Sequence, residues 1–490
     1  MKNLLPIQLC DYYKCDHRRQ MPDFTTKIYS NLTARMSRVE GVNSVVFFGL
    51  QYFIKEYLMA KYNEDFFNVP LDIVISKYKR RMDTSLGKDA IPMDHIIALH
   101  KLGYLPIKIK ALKEGTECPI KVPMLTIENT HPDFAWVTNF LETIMSAVLW
   151  MPITSATTAK EYKKVLTEYA NKTNPEMLGF VPWQGHDFSM RGMAGLEAAM
   201  ISGSAHLLSF TGTDTIPAID FLEEYYNANA ENELVGGSVY ASEHSCMSMG
   251  TKELERDTYL RLLTKVYPSG IVSLVSDTYD FFKVLTEIIP SMKTEIIARE
   301  GKFVVRPDTG NPAKIICGDP EAPIGSPEHK GSIELLWETF GGTITSKGYK
   351  QLDSHIGLIY GDSITLERCK LICAGLEAKG FASTNVVLGI GSFTFQFVTR
   401  DTFGMAVKST YGEINGVGIE IFKDPKTDSG NFKKSAKGLV KVYKDDLGNI
   451  TFKDQCTKAE ADEGLLELVF ENGKLVREQS LADIRAIVNG

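Results

Sequence analysis

No stretch of the chain approaches the run of about 18 uncharged apolar residues that a membrane-spanning helix needs, so nothing is expected to cross a bilayer. The opening MKNLLPIQLCDYYK has too short an apolar core for a secretory signal, which leads us to expect a cytoplasmic protein. Basic residues are outnumbered: 54 Lys and Arg face 61 Asp and Glu, for a formal net charge of -7. That balance argues against a general nucleic-acid binder. Any phosphate the protein handles must be held by local clusters of donors rather than by a global positive field. Cysteine is sparse, with eight in 490 residues, none in a C-x-x-C pair and the nearest two at 369 and 373. Neither a disulfide framework nor a metal site built from side chains is expected, and reduced thiols fit an intracellular protein. Low-complexity tracts, a Walker A loop and a G-x-G-x-x-G fingerprint are missing as well.

What is present is a globular balance, 44% hydrophobic and 23% charged, in a chain long enough for a large core and more than one domain. Up to about residue 145 the pattern mixes helix, as in VVFFGLQYFIKEYLMAKY at 45–62, with strand-like LPIKIKAL at 105–112 and VPMLTIEN at 122–129. From about 150 to 400, short apolar runs alternate with amphipathic helices. The runs are HLLSF (206–210), GSVYA (237–241), VSLVS (272–276), KFVV (302–305), IGLIY (356–360) and NVVL (385–388). Such runs read as buried parallel strands in βα units. The fold class expected is therefore α/β. Residues 150–400 form a β/α-barrel-like central domain, and an α+β domain is assembled from an N-terminal part, 1–149, and a C-terminal segment, 401–490.

The residues that follow each run are the informative ones. TGTDT follows the first, SEHS the second, SDTYD the third, RPDTGNP the fourth, and GDS and GIGS the last two. In a β/α barrel these carboxyl ends converge on one face, where the active site is built. An open doubly wound sheet also collects ligands there, but six contributing strands are too many for one crevice. Gly391 in GIGS and Gly361–Asp362 in GDS suit a phosphate cradle, although a plain tight turn accounts for each alone. Arg306 offers a bidentate fork to phosphate, with Asp308 beside it for sugar hydroxyls or a metal-bound phosphate; a pinned turn explains the pair equally well. Asp214 alone reads as a turn or N-cap aspartate. Adjacent strand ends would let Asp277 orient the His244 imidazole. HDFSMRG at 186–192 is a capped helix start or, through Phe188 and Arg191, an aromatic face and a cation for a planar ligand. Arg400, Lys408, Lys423, Lys433, Lys434 and Lys437 are by default a solvated basic face.

Taken together, these segments resemble the nicotinamide phosphoribosyltransferase family. DYYKCDHRRQMP (11–22) is similar to the family's D-S-Y-K-x-x-H-x-x-Q-Y-P. HDFSMRG, FTGTDT, SVYASEHS, VSDTYD, RPDTGNP, GDS, TRD, FKDP and KKSAKG follow in family order, from about residue 5 to 487. The resemblance implies transfer of phosphoribose from phosphoribosyl pyrophosphate to nicotinamide, with Mg²⁺ accompanying pyrophosphate and ATP, and ATP as an activating co-substrate. It implies a homodimer with shared active sites. Phe188 and a partner subunit's Tyr13 would sandwich the pyridine ring, Asp214 would accept from the carboxamide, and Arg191 and Arg306 would contact ring and phosphoribosyl group beside Asp308. Gly361, Asp362 and Gly391 would hold ribose and 5′-phosphate. Arg35, Arg400, Lys408, Lys423 and Lys433 would surround pyrophosphate or ATP phosphates. His244 would take a phosphoryl group, supported by Glu243 and Asp277.

A pyridine nitrogen is already nucleophilic, so the protein's task is mostly positioning. An Asp214 carboxylate would repel nicotinate, since like charges about 4 Å apart cost roughly 4 kcal/mol at an effective dielectric near 20. Two departures stand out. Ile390 and Ser392 replace small residues near the expected phosphate, and Tyr240 and Ser242 replace a common Pro and Ala, which should narrow the space beside the ring. The competing readings are a nicotinate phosphoribosyltransferase and a non-catalytic binding protein on the same scaffold.

Overall fold

The computed structural model describes residues 4–423 and 435–490. The chain divides into two compact units, one of Met1–Thr157, Phe221–Ala228 and Val398–Gly490, the other of Thr158–Asp220 and Asn229–Phe397. Among the described residues, no single helix is long and apolar enough to cross a membrane.

The described residues of the first unit form a seven-stranded sheet. Its strands stand in the order Val417–Glu420, Met405–Ile414, Thr25–Ala34, Pro123–Asn129, Ile107–Ala111, Glu467–Glu471, Lys474–Leu475. Every neighbouring pair is antiparallel. The expected strands at 105–112 and 122–129 are present; Thr25–Ala34, which pairs with both 123–129 and 405–414, was not anticipated. The helix expected over 45–62 starts late. Ser44–Val46 pairs as a strand with Glu117–Pro119, and the helix begins only at Leu50. Gly49 sets that boundary: its φ is +100°, and a Cβ there would lie 2.5 Å from the Pro152 ring. The C-terminal helix Leu481–Asn489 opens with a capping box in which Ser480 and Asp483 satisfy each other's backbone N–H groups.

In the second unit a seven-stranded sheet runs Gly212–Thr213, Gly185–Asp187, Val386–Ile390, Ile356–Tyr360, Glu300–Arg306, Ser269–Val275, Tyr240–Ala241, parallel throughout. The two ends of the sheet are also linked by an isolated bridge at Gly237, just ahead of Tyr240–Ala241: Thr213 N–H donates to the Gly237 carbonyl (2.9 Å) and Gly237 N–H to that of Thr211 (2.8 Å). This is a mixed α/β fold with a parallel half-barrel sheet. Period-2 alternation decides what each strand offers. Along Glu300–Arg306, Phe303 and Val305 are fully buried in the helix-packed core, while Lys302, Val304 and Arg306 line an internal cavity. HLLSF is not a strand. The helix Leu196–His206 runs into it, and the strand starts only at Gly212. Residues 201–210 are all buried, so this helix end has no solvent-exposed face, and a run of that kind does not distinguish helix from strand.

Candidate active site

One cavity of about 610 Å³ gathers Phe188, Arg191, Asp214, Arg306, Asp308, Gly361, Asp362 and Gly391 at the carboxyl ends of the parallel strands. A second, largely apolar cavity of about 480 Å³ shares Phe188, Asp214 and Arg306 and extends along the strands to Lys302, Ile271 and Ile356.

Fully buried Asp187 organises the first part of the site. Its Oδ1 accepts from Ser189 N–H (2.9 Å) and its Oδ2 from the Thr213 hydroxyl (3.0 Å), while its carbonyl accepts from Asp214 N–H (2.9 Å). One side chain thus fixes both the turn that carries Phe188 and the strand end that carries Asp214. Phe188 N–H donates to the Ile390 carbonyl (2.9 Å), and its ring lies 4.5 Å from that of His186. Asp214 Oδ1 is 2.9 Å from His186 Nε2 and accepts from the Ser238 hydroxyl at 2.6 Å. Burial works to raise the Asp214 pKa, but these two hydrogen bonds, the His186 ring and the nearby Arg306 guanidinium outweigh it and hold the carboxyl below its ordinary value. Asp214 therefore stands as an ionised acceptor. His186 and Ser238 were not among the site residues expected from sequence. His186 lies within HDFSMRG, whereas nothing local marks Ser238, because its approach depends on the long-range 211–213 to 237 pairing.

Asp277 organises the next part. Its side chain is 2% exposed, and Oδ1 is 3.1 Å from His244 Nε2. Its Oδ2 accepts from Asp308 N–H (2.8 Å), Thr309 N–H (2.9 Å) and the Thr309 hydroxyl (2.8 Å). His244 opens a short helix, His244–Met249, and Glu243 precedes it, accepting from the Ser245 hydroxyl. Arg306 donates to the Ser242 carbonyl, and its Nε is buried without a hydrogen-bond partner. The Asp308 pKa is raised from its ordinary value, first by burial and then by the charges of Asp277 and Asp362, which Arg306 and His244 only partly offset. Its Oδ1 is buried and also without a partner. That oxygen packs on Gly361, where a Cβ would come within 2.1 Å of it, so any larger residue there would displace the Asp308 carboxylate.

The two departures resolve differently. Ile390 is buried and its carbonyl anchors Phe188, while Ser392 lies on the wall of the larger cavity. Tyr240 does not line either cavity, contrary to the expectation that it narrows the site. Its side chain is exposed and stacks on Tyr267 (4.7 Å, 24°), so that Val239 and Ala241 line the cavity instead. Ser242 turns its hydroxyl to Val275 N–H at 2.9 Å.

The remaining expected residues belong to the first unit. Tyr13 is exposed on the short helix Tyr12–Asp16. Lys408 Nζ pairs with Glu142 Oε1 at 3.2 Å, and Lys14 Nζ with Glu142 Oε2 at 2.6 Å. Arg35 Nε donates to the Gly404 carbonyl (3.0 Å), Arg400 pairs with Asp401 (3.1 Å), and Lys423 N–H donates to the Ser435 hydroxyl (3.1 Å). Lys433 and Lys434 lie outside the described residues.

The fold is shared with solved structures. The chain shares the fold of nicotinate-nucleotide pyrophosphorylase from Pyrococcus furiosus, with a TM-score of 0.59 at 16% identity over 100% of this chain and 96% of that one. It also shares that of human nicotinic acid phosphoribosyltransferase, with a TM-score of 0.50 at 14% identity over 98% and 92%. The mixed α/β fold with its parallel half-barrel sheet is thus shared with these two proteins. The sequence narrows the class. Residues 6–109 match the model described as nicotinamide phosphoribosyltransferase, N-terminal domain, and residues 183–474 match that of the nicotinate phosphoribosyltransferase (NAPRTase) family. Proteins named nicotinamide phosphoribosyltransferase are 52% identical in Acinetobacter baylyi (98% of this chain, 96% of that one), 34% in Mycoplasma pneumoniae (90% and 97%) and 31% in Xanthomonas campestris (97% and 96%). The chain belongs to the nicotinamide phosphoribosyltransferase family.

Proposed function

We propose that the protein transfers the phosphoribosyl group of phosphoribosyl pyrophosphate to nicotinamide, giving nicotinamide mononucleotide and pyrophosphate, as a homodimeric cytoplasmic enzyme of NAD salvage. The observation that carries this reading is the Asp214 carboxylate, held ionised by His186 and Ser238 beside the Phe188 ring. A carboxylate there accepts from a carboxamide NH₂ and repels a carboxylate, which favours nicotinamide over nicotinate. We read the linked parallel sheet as a barrel closed by the 211–213 to 237 pairing, with the reaction at its carboxyl end.

In the transfer, the ring nitrogen forms a bond to C1′ as the C1′–O bond to pyrophosphate breaks and pyrophosphate leaves. Phe188, with a partner subunit's Tyr13, orients the ring, and Arg191 and Arg306 face the phosphoribosyl group. Gly361, Asp362 and the turn at Gly391 hold ribose and 5′-phosphate. Arg35, Arg400, Lys408, Lys423 and Lys433 are the candidate donors to pyrophosphate and ATP phosphates. Among the described residues there is no cluster of three or more His, Cys, Asp or Glu able to hold a metal by itself. Mg²⁺ is usually bound by one or two carboxylates plus substrate phosphates, a role that the Asp308 carboxylate, with one buried unpartnered oxygen, and Asp362 suit. Such an ion would neutralise charge on the leaving pyrophosphate.

ATP enters as a co-substrate whose γ-phosphoryl group passes to His244. With Nε2–H donated to Asp277, Nδ1 keeps the lone pair and is the nitrogen that would attack phosphorus as ADP leaves. Glu243 stands beside it. The test is product formation from nicotinamide and phosphoribosyl pyrophosphate with Mg²⁺, with and without ATP, in the wild type and His244→Ala. Mononucleotide formed, with ATP stimulation only when His244 is present, supports the scheme. Reaction of nicotinate alone favours the nicotinate enzyme, and reaction of neither base favours a binding protein.

A further inference from the structure

The segment that carries Tyr13 is bracketed by two thiols. Cys10 Sγ and Cys15 Sγ lie 3.9 Å apart, both reduced, one half-buried and the other 5% exposed. Between them run Asp11, Tyr12, Tyr13 and Lys14, the last buried and tied to Glu142, which also holds Lys408. A disulfide has an S–S bond of about 2.05 Å, so closure draws these sulfurs together by about 2 Å. Such a shift is within reach of a bend and a single short helix.

We infer that Cys10 and Cys15 form a redox modification site that peroxide closes to a disulfide, clamping the Tyr12–Lys14 turn.

The surroundings favour reaction at this pair. The hydrogen bond shared between the Cys10 and Cys15 thiols, with a backbone N–H, lowers the Cys15 thiol to about 7 against the opposing effect of burial. Cys10 moves upward in return, as expected of two thiols sharing one proton. Asp11, Asp16, Tyr62 and Tyr78 face the pair with negative or neutral groups, and Lys14 is its cation. Half-buried Cys10 gives the oxidant a way in. One sulfur, as thiolate, attacks a peroxide oxygen; the O–O bond breaks, a sulfenic acid forms, and the departing hydroxide takes a proton to become water. The neighbouring sulfur then displaces hydroxide from that sulfenic acid, the S–S bond forms, and a second water leaves. Two thiols are oxidised and one hydrogen peroxide is reduced. Thiol reductants reverse the change.

The effect on turnover rests on the proposed role of Tyr13, but formation of the bond does not. Reduced full-length protein is treated with stoichiometric hydrogen peroxide, quenched with an alkylating reagent and mapped by mass spectrometry without reduction. We expect a Cys10–Cys15 crosslinked peptide, two hydrogens lighter, ahead of oxidation at exposed Cys246. Cys10→Ser should instead accumulate a sulfenic acid at Cys15 that dimedone traps. Alkylatable Cys10 and Cys15 alongside oxidised Cys246 would overturn the inference, and so would a Cys10→Ser protein left unoxidised at Cys15 with no crosslink in the wild type. With the crosslink present, kcat/KM for nicotinamide should fall by about tenfold to a hundredfold, the scale expected for ångström misplacement of a binding group, and recover with dithiothreitol. A crosslink with unchanged kcat/KM leaves the modification site standing and removes Tyr13 from the ring site.

Discussion

Asp277 holds His244 by one carboxylate oxygen and the RPDTGNP loop by the other: Oδ1 lies 3.1 Å from His244 Nε2 while Oδ2 takes two N–H groups and a hydroxyl from Asp308 and Thr309. One buried side chain therefore couples the imidazole's orientation to the position of Asp308.

Asp277→Asn separates those two tasks. Its amide oxygen accepts from Asp308 and Thr309 while its NH₂ faces Nε2, which forces the proton onto Nδ1 of His244. The variant should fold with near wild-type stability yet lose ATP stimulation, scored as turnover with and without ATP and as acid-labile phosphate on the protein. Asp277→Ala strands the loop donors instead and should cost about 2 kcal/mol in denaturant unfolding.

Asp308→Asn should make the protein more stable and less active. The native carboxyl is raised above its unfolded value, so folding favours the protonated form, and stability falls as pH rises through the native pKa. A neutral amide removes that cost. The gain in midpoint should appear above that pKa and vanish below the ordinary aspartate value of 3.8, with kcat reduced about 10²-fold if Asp308 serves the leaving pyrophosphate.

Much of this arrangement is legible in sequence, and the failures are instructive. Ile356–Tyr360 is a bare apolar run between polar turns, and the strand falls on the expected residues. GTDT, SDT, PDT and GDS sit at strand ends, so Asp214, Asp277, Asp308 and Asp362 could be singled out one strand at a time. HLLSF failed because a helix end buried all round carries no periodicity. Ser238 escaped because its partner, Asp214, is 24 residues away and reached only through strand pairing. Tyr240 faced the wrong way in expectation because residue type says nothing about which side of a strand a position occupies; the alternation of Val239 and Ala241 into the cavity decides it.

Asp214→Asn should relax the choice of base. Removing the charge while keeping an acceptor ought to cost nicotinamide roughly tenfold in kcat/KM, against a like-charge penalty of about 4 kcal/mol lifted for nicotinate. Competition between the two bases for limiting phosphoribosyl pyrophosphate measures the ratio directly. A ratio unmoved by the substitution would sink the assignment of Asp214 as the selecting group.

Gly361→Ala tests the close approach on Asp308. With a Cβ 2.1 Å from Oδ1, the aspartate must swing away. The expected result is a raised KM for phosphoribosyl pyrophosphate with little change in that for nicotinamide, obtained from initial rates at saturating second substrate.

The antiparallel sheet of the first unit has a consequence for biosynthesis. Its three N-terminal strands, Thr25–Ala34, Pro123–Asn129 and Ile107–Ala111, are flanked on one side by Met405–Ile414 and on the other by Glu467–Glu471. At about 5–20 residues per second, a ribosome leaves both edges of that three-stranded core bare for some tens of seconds, while residues 158–397 are completed first. Nascent chains are thus sticky at the amino end until Met405–Ile414 covers one edge and Glu467–Glu471 the other. Premature termination between residues 130 and 404 should yield aggregates that chaperones must hold, not partial enzymes.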